Sequence, residues 1–321
     1  MAHGTGYHKL PQEVIDAIVD QLRDDRTTLR RSSLVSRAWL ERSQCHLFRT
    51  IRVVDGDPSH WHFRHNFVAF HRFLKHDASE RVCTRVHCLV IQGDQGSYDF
   101  PCRVVLDRAL FALVLDKLPR LSSLIVLDVR FNNVESVPPR RYKLDELILG
   151  SVGSPSDSPR TIIGFLDMFA HIGTLRTAFV DSWYETALAE GHDTPLKHDF
   201  KSGPLSLTLD NARIRGWTTV NCMLDILCNS KSMHAIRVLD VECTDMREIV
   251  SLGQVIRSAS KSLSRISVDL SIAFRDEQGK SNLHIIYACL DAATSRSCTS
   301  SEHLGTLQCI GLGIPAHLLI P

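Results

Sequence analysis

The sequence predicts an α/β protein in two parts: an N-terminal helical hairpin, followed by an irregular solenoid of parallel strands and helices. Three observations predict this. Apolar residues between Leu10 and Val53 recur at three- and four-residue steps, the period of one helix face. An apolar pair spaced Φ-x-x-Φ and followed by further apolar residues recurs eight times between Phe48 and Leu307, and Leu205-Ser206-Leu207-Thr208-Leu209 fills a ninth place with Ser202 in the first position. Amphipathic stretches long enough for helices lie between these frames, and strand then helix at a steady period means parallel strands joined by crossovers.

In the hairpin, Val14, Ile15, Ile18, Val19 and Leu22 define the first helix. Pro11 stands at its start, where its missing N–H costs nothing and its fixed φ suits a helix. Glu13 and Asp16 complement the positive end of the helix dipole. Asp24-Asp25-Arg26-Thr27 breaks the pattern, and Thr27 or Thr28 is the expected cap of a second helix carrying Leu29, Leu34, Val35, Ala38, Trp39 and Leu40. About 40 residues bury too little surface to be stable alone, so the hairpin needs a partner surface in its own chain or another.

Leu10-Pro11-x-Glu13-Val14-Ile15, then Ile18 and Leu22, then Ser33-Leu34-Val35-Ser36-Arg37-x-Trp39 and Leu47-Phe48, resembles an F-box motif of the kind abundant in fungi. The resemblance covers about 40 of the 321 residues and needs no gap. It implies that the hairpin docks into a Skp-type adaptor and so links the chain to a cullin-RING ubiquitin ligase. It also implies that Leu10, Pro11, Glu13, Ile15, Ile18, Leu22, Leu34, Val35 and Trp39 lie in or beside that interface. The plainer alternative is that these apolar residues only pack the two helices against the adjoining repeat domain.

The first positions of the nine frames are 48, 86, 121, 144, 172, 202, 233, 263 and 304, so successive spacings are 38, 35, 23, 28, 30, 31, 30 and 41. Helices are expected over Trp61–Lys75, Val104–Leu118, Thr161–Ile172, Thr218–Cys228, Met246–Ser258 and Ser281–Ala293. The region resembles degenerate leucine-rich repeats, whose period is about 20 to 29. It departs from them in its wandering period and in mostly lacking the Asn or Cys after the strand, although Asn132 comes close. A single open α/β sheet would show the same alternation, but nine frames exceed the five or six strands of a usual sheet. The domain reading is therefore a disordered N-terminus over 1–9, the F-box-like helices over 10–48 and the repeat region over 49–321. The apolar ending Leu318-Leu319-Ile320-Pro321 has no polar cap, which points to a longer natural chain or a partner over that end.

With 37 Lys and Arg against 36 Asp and Glu, charge gives no support to nucleic acid or membrane surfaces as partners. No apolar run approaches the roughly 18 residues of a membrane span, and residues 1–10 lack the blocks of a secretory signal. Ten cysteines without CxxC spacing, and no Asn-x-Ser/Thr, favour the cytoplasm or nucleus.

Chemistry is sparse. His60, His62, His65, His71, His76 and Cys83 form the densest group, but no HExxH or CxxC frame accompanies them, so no metal is expected. No P-loop, GxSxG elbow or dinucleotide fingerprint is present, so no catalytic residue and no cofactor is assigned. The loops 150–159, 190–201 and 275–280 are the candidate contacts for a target. The expected function is a substrate receptor of an SCF-type ligase, holding a protein substrate of unknown identity on the repeats. The alternatives are a non-ligase scaffold whose hairpin only caps the solenoid, and an enzyme on an open sheet.

Overall fold

The computed structural model describes residues 10–54, 66–93, 105–132, 142–150, 160–178, 205–215, 219–243, 246–259, 261–269 and 307–310. Within them the chain is a mixed α/β protein built on one parallel sheet.

The N-terminal region contains three helices rather than two: α1 (Gln12–Gln21), α2 (Arg26–Ser32) and α3 (Arg37–Arg49). The expected second helix breaks because Ser36 is extended, at φ −163° and ψ 169°, after a turn over Ser33, Leu34 and Val35. The cap of α2 is also earlier than expected. Asp25 accepts from the backbone N–H of Thr27 and of Thr28, both at 3.0 Å, and Thr28 donates its hydroxyl to the same carboxylate. One carboxylate oxygen, Oδ1, accepts from both orphan donors, and Oδ2 holds the Thr28 hydroxyl at 2.6 Å, so Asp25 rather than a threonine caps α2.

The strands are β1 (Thr50–Val54), β2 (Cys88–Gln92), β3 (Val105–Asp107), β4 (Ser123–Leu127), β5 (Arg130–Asn132), β6 (Tyr142–Gly150), β7 (Phe169–Ala178), β8 (Thr208–Ile214), β9 (Val238–Glu242), β10 (Arg265–Asp269) and β11 (Leu307–Ile310). Nine of them form one sheet in the order β1-β2-β4-β6-β7-β8-β9-β10-β11, and β3 pairs with β5 in a separate two-stranded ladder. Apart from these two, each strand pairs with the next in sequence, and the order never reverses as it does in a doubly wound sheet.

Seven of the nine sequence frames lead directly into a strand of the large sheet. Ile51, Leu89, Leu124, Leu147, Leu175, Ala212, Leu239, Ile266 and Leu307 stand in one register across it. Two frames slip. The sixth is Leu209-x-x-Ala212 rather than one on Ser202 and Leu205, and the seventh is Ile236-x-x-Leu239 rather than Met233-x-x-Ile236. Leu205 instead bridges Ser230, and Met233 lies in a 3-10 turn, Lys231–His234. Both are buried apolar residues outside the large sheet, which mimic a strand frame because burial alone creates the pattern.

The helices behind the sheet are α4 (Asn66–Leu74), α5 (Glu80–Cys83), α6 (Arg108–Asp116), α7 (Arg160–Leu166), α8 (Thr219–Cys228) and α9 (Met246–Ala259). The expected 218–228 and 246–258 helices agree to within a residue. Two others are shorter than expected. The 104–118 segment opens with strand β3, after which Asp107 caps α6, and the 161–172 segment gives way at Phe169 to β7. The segments 61–65 and 281–293 lie outside the described residues.

Residues facing these helices form the core, and Phe rings link its layers. The ring of Phe111 on α6 lies 6.4 Å from Phe67 on α4 and 5.6 Å from Phe165 on α7, and Phe165 meets Phe169 edge-on at 5.3 Å. The result is a continuous aromatic seam beneath strands β1 to β7.

Candidate functional site

The N-terminal unit has a small core of Ile15, Val19 and Leu29, flanked by Leu22, Ala38, Trp39 and Leu47. Polar clamps supplement so little apolar burial. Asp20 of α1 accepts from Arg42 Nε at 2.6 Å and Nη2 at 2.7 Å, and lies 2.7 Å from His46 Nε2, both on α3. The hydrogen bonds from Arg42, then from His46, hold the Asp20 carboxyl well below the usual carboxylate range. Gln12 donates to the Ala38 carbonyl at 3.0 Å, and Arg26 to the Leu47 carbonyl at 3.1 Å.

With the inner faces joined, a second aliphatic ridge points outward. Val14 and Ile18 on α1, and Leu10 four residues before Val14 and just ahead of the Pro11 cap, are exposed, and in the turn before α3 Leu34 is 85% and Val35 69% exposed. Of the residues assigned to docking from sequence, Leu10, Pro11, Glu13, Ile18, Leu34 and Val35 are therefore exposed. Ile15 is sealed in the core, and Leu22 and Trp39 pack half-buried against it, so these three support the ridge from beneath. Val14 is a ridge residue outside that assignment. Its signal is the Leu10, Val14, Ile18 spacing, which lies about 100° around the helix from the Ile15, Val19 stripe.

The unit joins the sheet without a linker: α3 ends at Arg49 and β1 begins at Thr50. Arg85, after α5, donates to Gln44 of α3 at 2.7 Å and lies 3.7 Å from Glu41, and the His87 N–H donates to the Arg49 carbonyl at 2.9 Å.

The sheet face turned away from the helices is the second candidate surface. Its middle row, read across paired strands, is Arg52, Val90, Ile125, Ile148, Arg176, Arg213, Asp240 and Ser267. Val90, Ile125 and Ile148 are half-buried and stand outside the main core. Arg176 pairs with Glu146 at 3.1 Å, and Arg213 and Arg215 share Asp240 at 2.8 and 3.6 Å.

Of the histidine group, His71 is buried with no partner for Nε2, and burial holds its pKa below the ordinary value. His76 Nδ1 accepts from the Ala78 N–H at 3.4 Å, while Cys83 donates to Ser79 at 3.7 Å. His60, His62 and His65 lie outside the described residues, as do the loops 151–159, 190–201 and 275–280 and the terminus 318–321. Among the described residues, no three His, Cys, Asp or Glu side chains are grouped to hold a metal. Burial pushes the Cys228 thiol up to about 11, which leaves it protonated and unreactive at neutral pH. No helix among the described residues is long and apolar enough to cross a membrane. No model of a known protein family matches the chain, and no curated protein matches it significantly.

Proposed function

We propose that this chain is the substrate-recognition subunit of an SCF-type cullin-RING ubiquitin ligase, acting in the cytoplasm or nucleus. In this reading residues 10–48 are an F-box-like unit that docks a Skp-type adaptor, and through it a cullin. The strands and helices behind form a degenerate leucine-rich-repeat-like solenoid that holds a protein substrate. The contribution to ubiquitin transfer is positioning rather than covalent chemistry.

One observation carries the reading: Leu10, Val14, Ile18, Leu34 and Val35 remain exposed although the unit already has a core of its own. A ridge used only to pack the helices against the adjoining domain would be covered. So many large aliphatic side chains left exposed on so small a unit support its use as an interaction site. The strictly sequential strand order supports the repeat reading of the remainder.

The test is copurification of the full chain with a Skp-type adaptor. Binding is expected, and Leu34→Glu with Val35→Glu should abolish it while the circular dichroism spectrum and thermal midpoint stay unchanged, because both side chains are exposed. This pair is cleaner than Trp39→Ala, which would also disturb the inner packing. Failure of the intact chain to bind any such adaptor would refute the reading. It would favour the scaffold alternative, for which the direct passage of α3 into β1 is the supporting feature.

A further inference from the structure

The sheet face that bears no helix among the described residues has a chemical polarity across its strands. Along its middle row, three aliphatic side chains on β2, β4 and β6 give way to two neighbouring arginines on β7 and β8. Arg215, just beyond β8, adds a third guanidinium. Intramolecular pairing offsets much of this charge, and the half-buried Glu242 of β9 shares the face, but the guanidinium groups outnumber the carboxylates they pair with and stand further out. The three guanidinium side chains are about half exposed, whereas Asp240 and Glu146 beneath them are only 15% and 29% exposed. Glu146 is also tied down by the Ser123 hydroxyl at 3.3 Å. A partner therefore meets three cations held over two recessed carboxylates, and each guanidinium keeps unused N–H donors beyond its internal contact.

We infer that this face binds an extended acidic polypeptide segment: two or three aliphatic residues over Val90, Ile125 and Ile148, followed by carboxylates over Arg176, Arg213 and Arg215. The inference rests on the reading of the repeats as the substrate platform and names the substrate chemistry. From Val90 to Arg213 the row crosses four inter-strand steps, roughly 19 Å at ~4.8 Å each, which about six extended residues span. The arginines are already oriented by Glu146 and Asp240, so ordering them on binding costs little. Single-stranded nucleic acid fits less well, since its bases need aromatic platforms and the three registered rows of this face carry no aromatic side chain among the described residues.

Fluorescence anisotropy of the full chain with three labelled probes tests this: the acidic peptide Ile-Val-Leu-Ser-Asp-Glu-Asp, the same peptide ending Lys-Arg-Lys, and a uridine 12-mer. The acidic probe should bind at least about tenfold more tightly than the peptide ending Lys-Arg-Lys, with affinity falling as salt rises from about 50 to about 200 mM. Arg176→Gln with Arg213→Gln should remove the preference for the acidic probe, and Ile125→Gln should weaken both peptides, each with the melting midpoint recorded alongside. Adaptor binding should survive these changes, and Leu34→Glu with Val35→Glu should leave probe binding intact, so loss of one activity does not imply loss of the other. Equal affinity for the two peptides, no binding of the acidic one, or tighter binding of the uridine 12-mer would overturn the inference. An unchanged preference in a folded Arg176→Gln, Arg213→Gln protein would do the same.

Discussion

Gly173 provides a test of the register in which the sign of the effect is decided by one contact. It sits near the start of β7 between Ile172 and Thr174, which pair with Leu144 and Glu146 of β6, while its carbonyl accepts from the Asn211 side chain of β8 at 3.2 Å. A Cβ built on Gly173 would lie 2.8 Å from the Asp145 carbonyl oxygen, a backbone atom. Ordinary carbon-to-oxygen approaches stop near ~3.3 Å, so β6 and β7 would have to part by roughly 0.5 Å with paired residues on both sides. Overpacking of this kind costs about 1–3 kcal/mol. Without the clash, Gly→Ala would stabilise by about 0.4–1 kcal/mol through the unfolded chain. The net expectation for Gly173→Ala is a loss of about 1–2 kcal/mol, which at an m of about 3 kcal/mol/M lowers the urea midpoint by roughly 0.3–0.7 M. Gly164 of α7 is the control. Its added Cβ would meet Arg108 Nη1 at 2.7 Å, the far end of a flexible side chain that can swing aside, so Gly164→Ala should be neutral or stabilising. A Gly173→Ala protein as stable as the parent, or more so, would refute the close approach and the register built on it.

Phe111→Ala removes the ring that joins Phe67 to Phe165 and should cost about 3–5 kcal/mol by denaturant titration, with adaptor binding retained until the chain unfolds. His71, buried and held neutral by desolvation, binds a proton more readily unfolded than folded. Its effect on stability is therefore absent above the unfolded value of ~6.5 and destabilises increasingly as pH falls from there toward its lower folded value. His71→Gln should flatten the difference in stability between about pH 7 and pH 5, and an unchanged slope would show that His71 is not buried as described.

Seven of the nine frames are legible in the sequence because burial on one side of a parallel sheet imposes the same local spacing at each strand, whatever the crossover between them. The helices 219–228 and 246–259 are legible for the matching reason, an unbroken apolar stripe on one face. The errors arise where burial and secondary structure part company. Leu205 and Met233 are as apolar as strand residues but are buried outside the large sheet, in an isolated bridge and a 3-10 turn, so the sixth and seventh frames slip, and the true spacing of 37 residues from Ile172 to Leu209 is hidden. In the N-terminal unit, Ile15 and Ile18 belong to one sequence pattern, yet only Ile15 is sealed. Helical periodicity says that both are apolar and cannot say which side a third helix covers.

Residue order alone specifies the alternation of strand and helix, the short helical start and the identity of the aliphatic residues that form its ridge. It takes the folded chain to show that the start is three helices, that Leu34 and Val35 stand outside its core, and that Arg176 and Arg213 become neighbours across 37 residues of chain. The physical reason is range. Periodicity and capping are set by contacts within a few residues, whereas exposure and the rows of a sheet face depend on how strands far apart in sequence align.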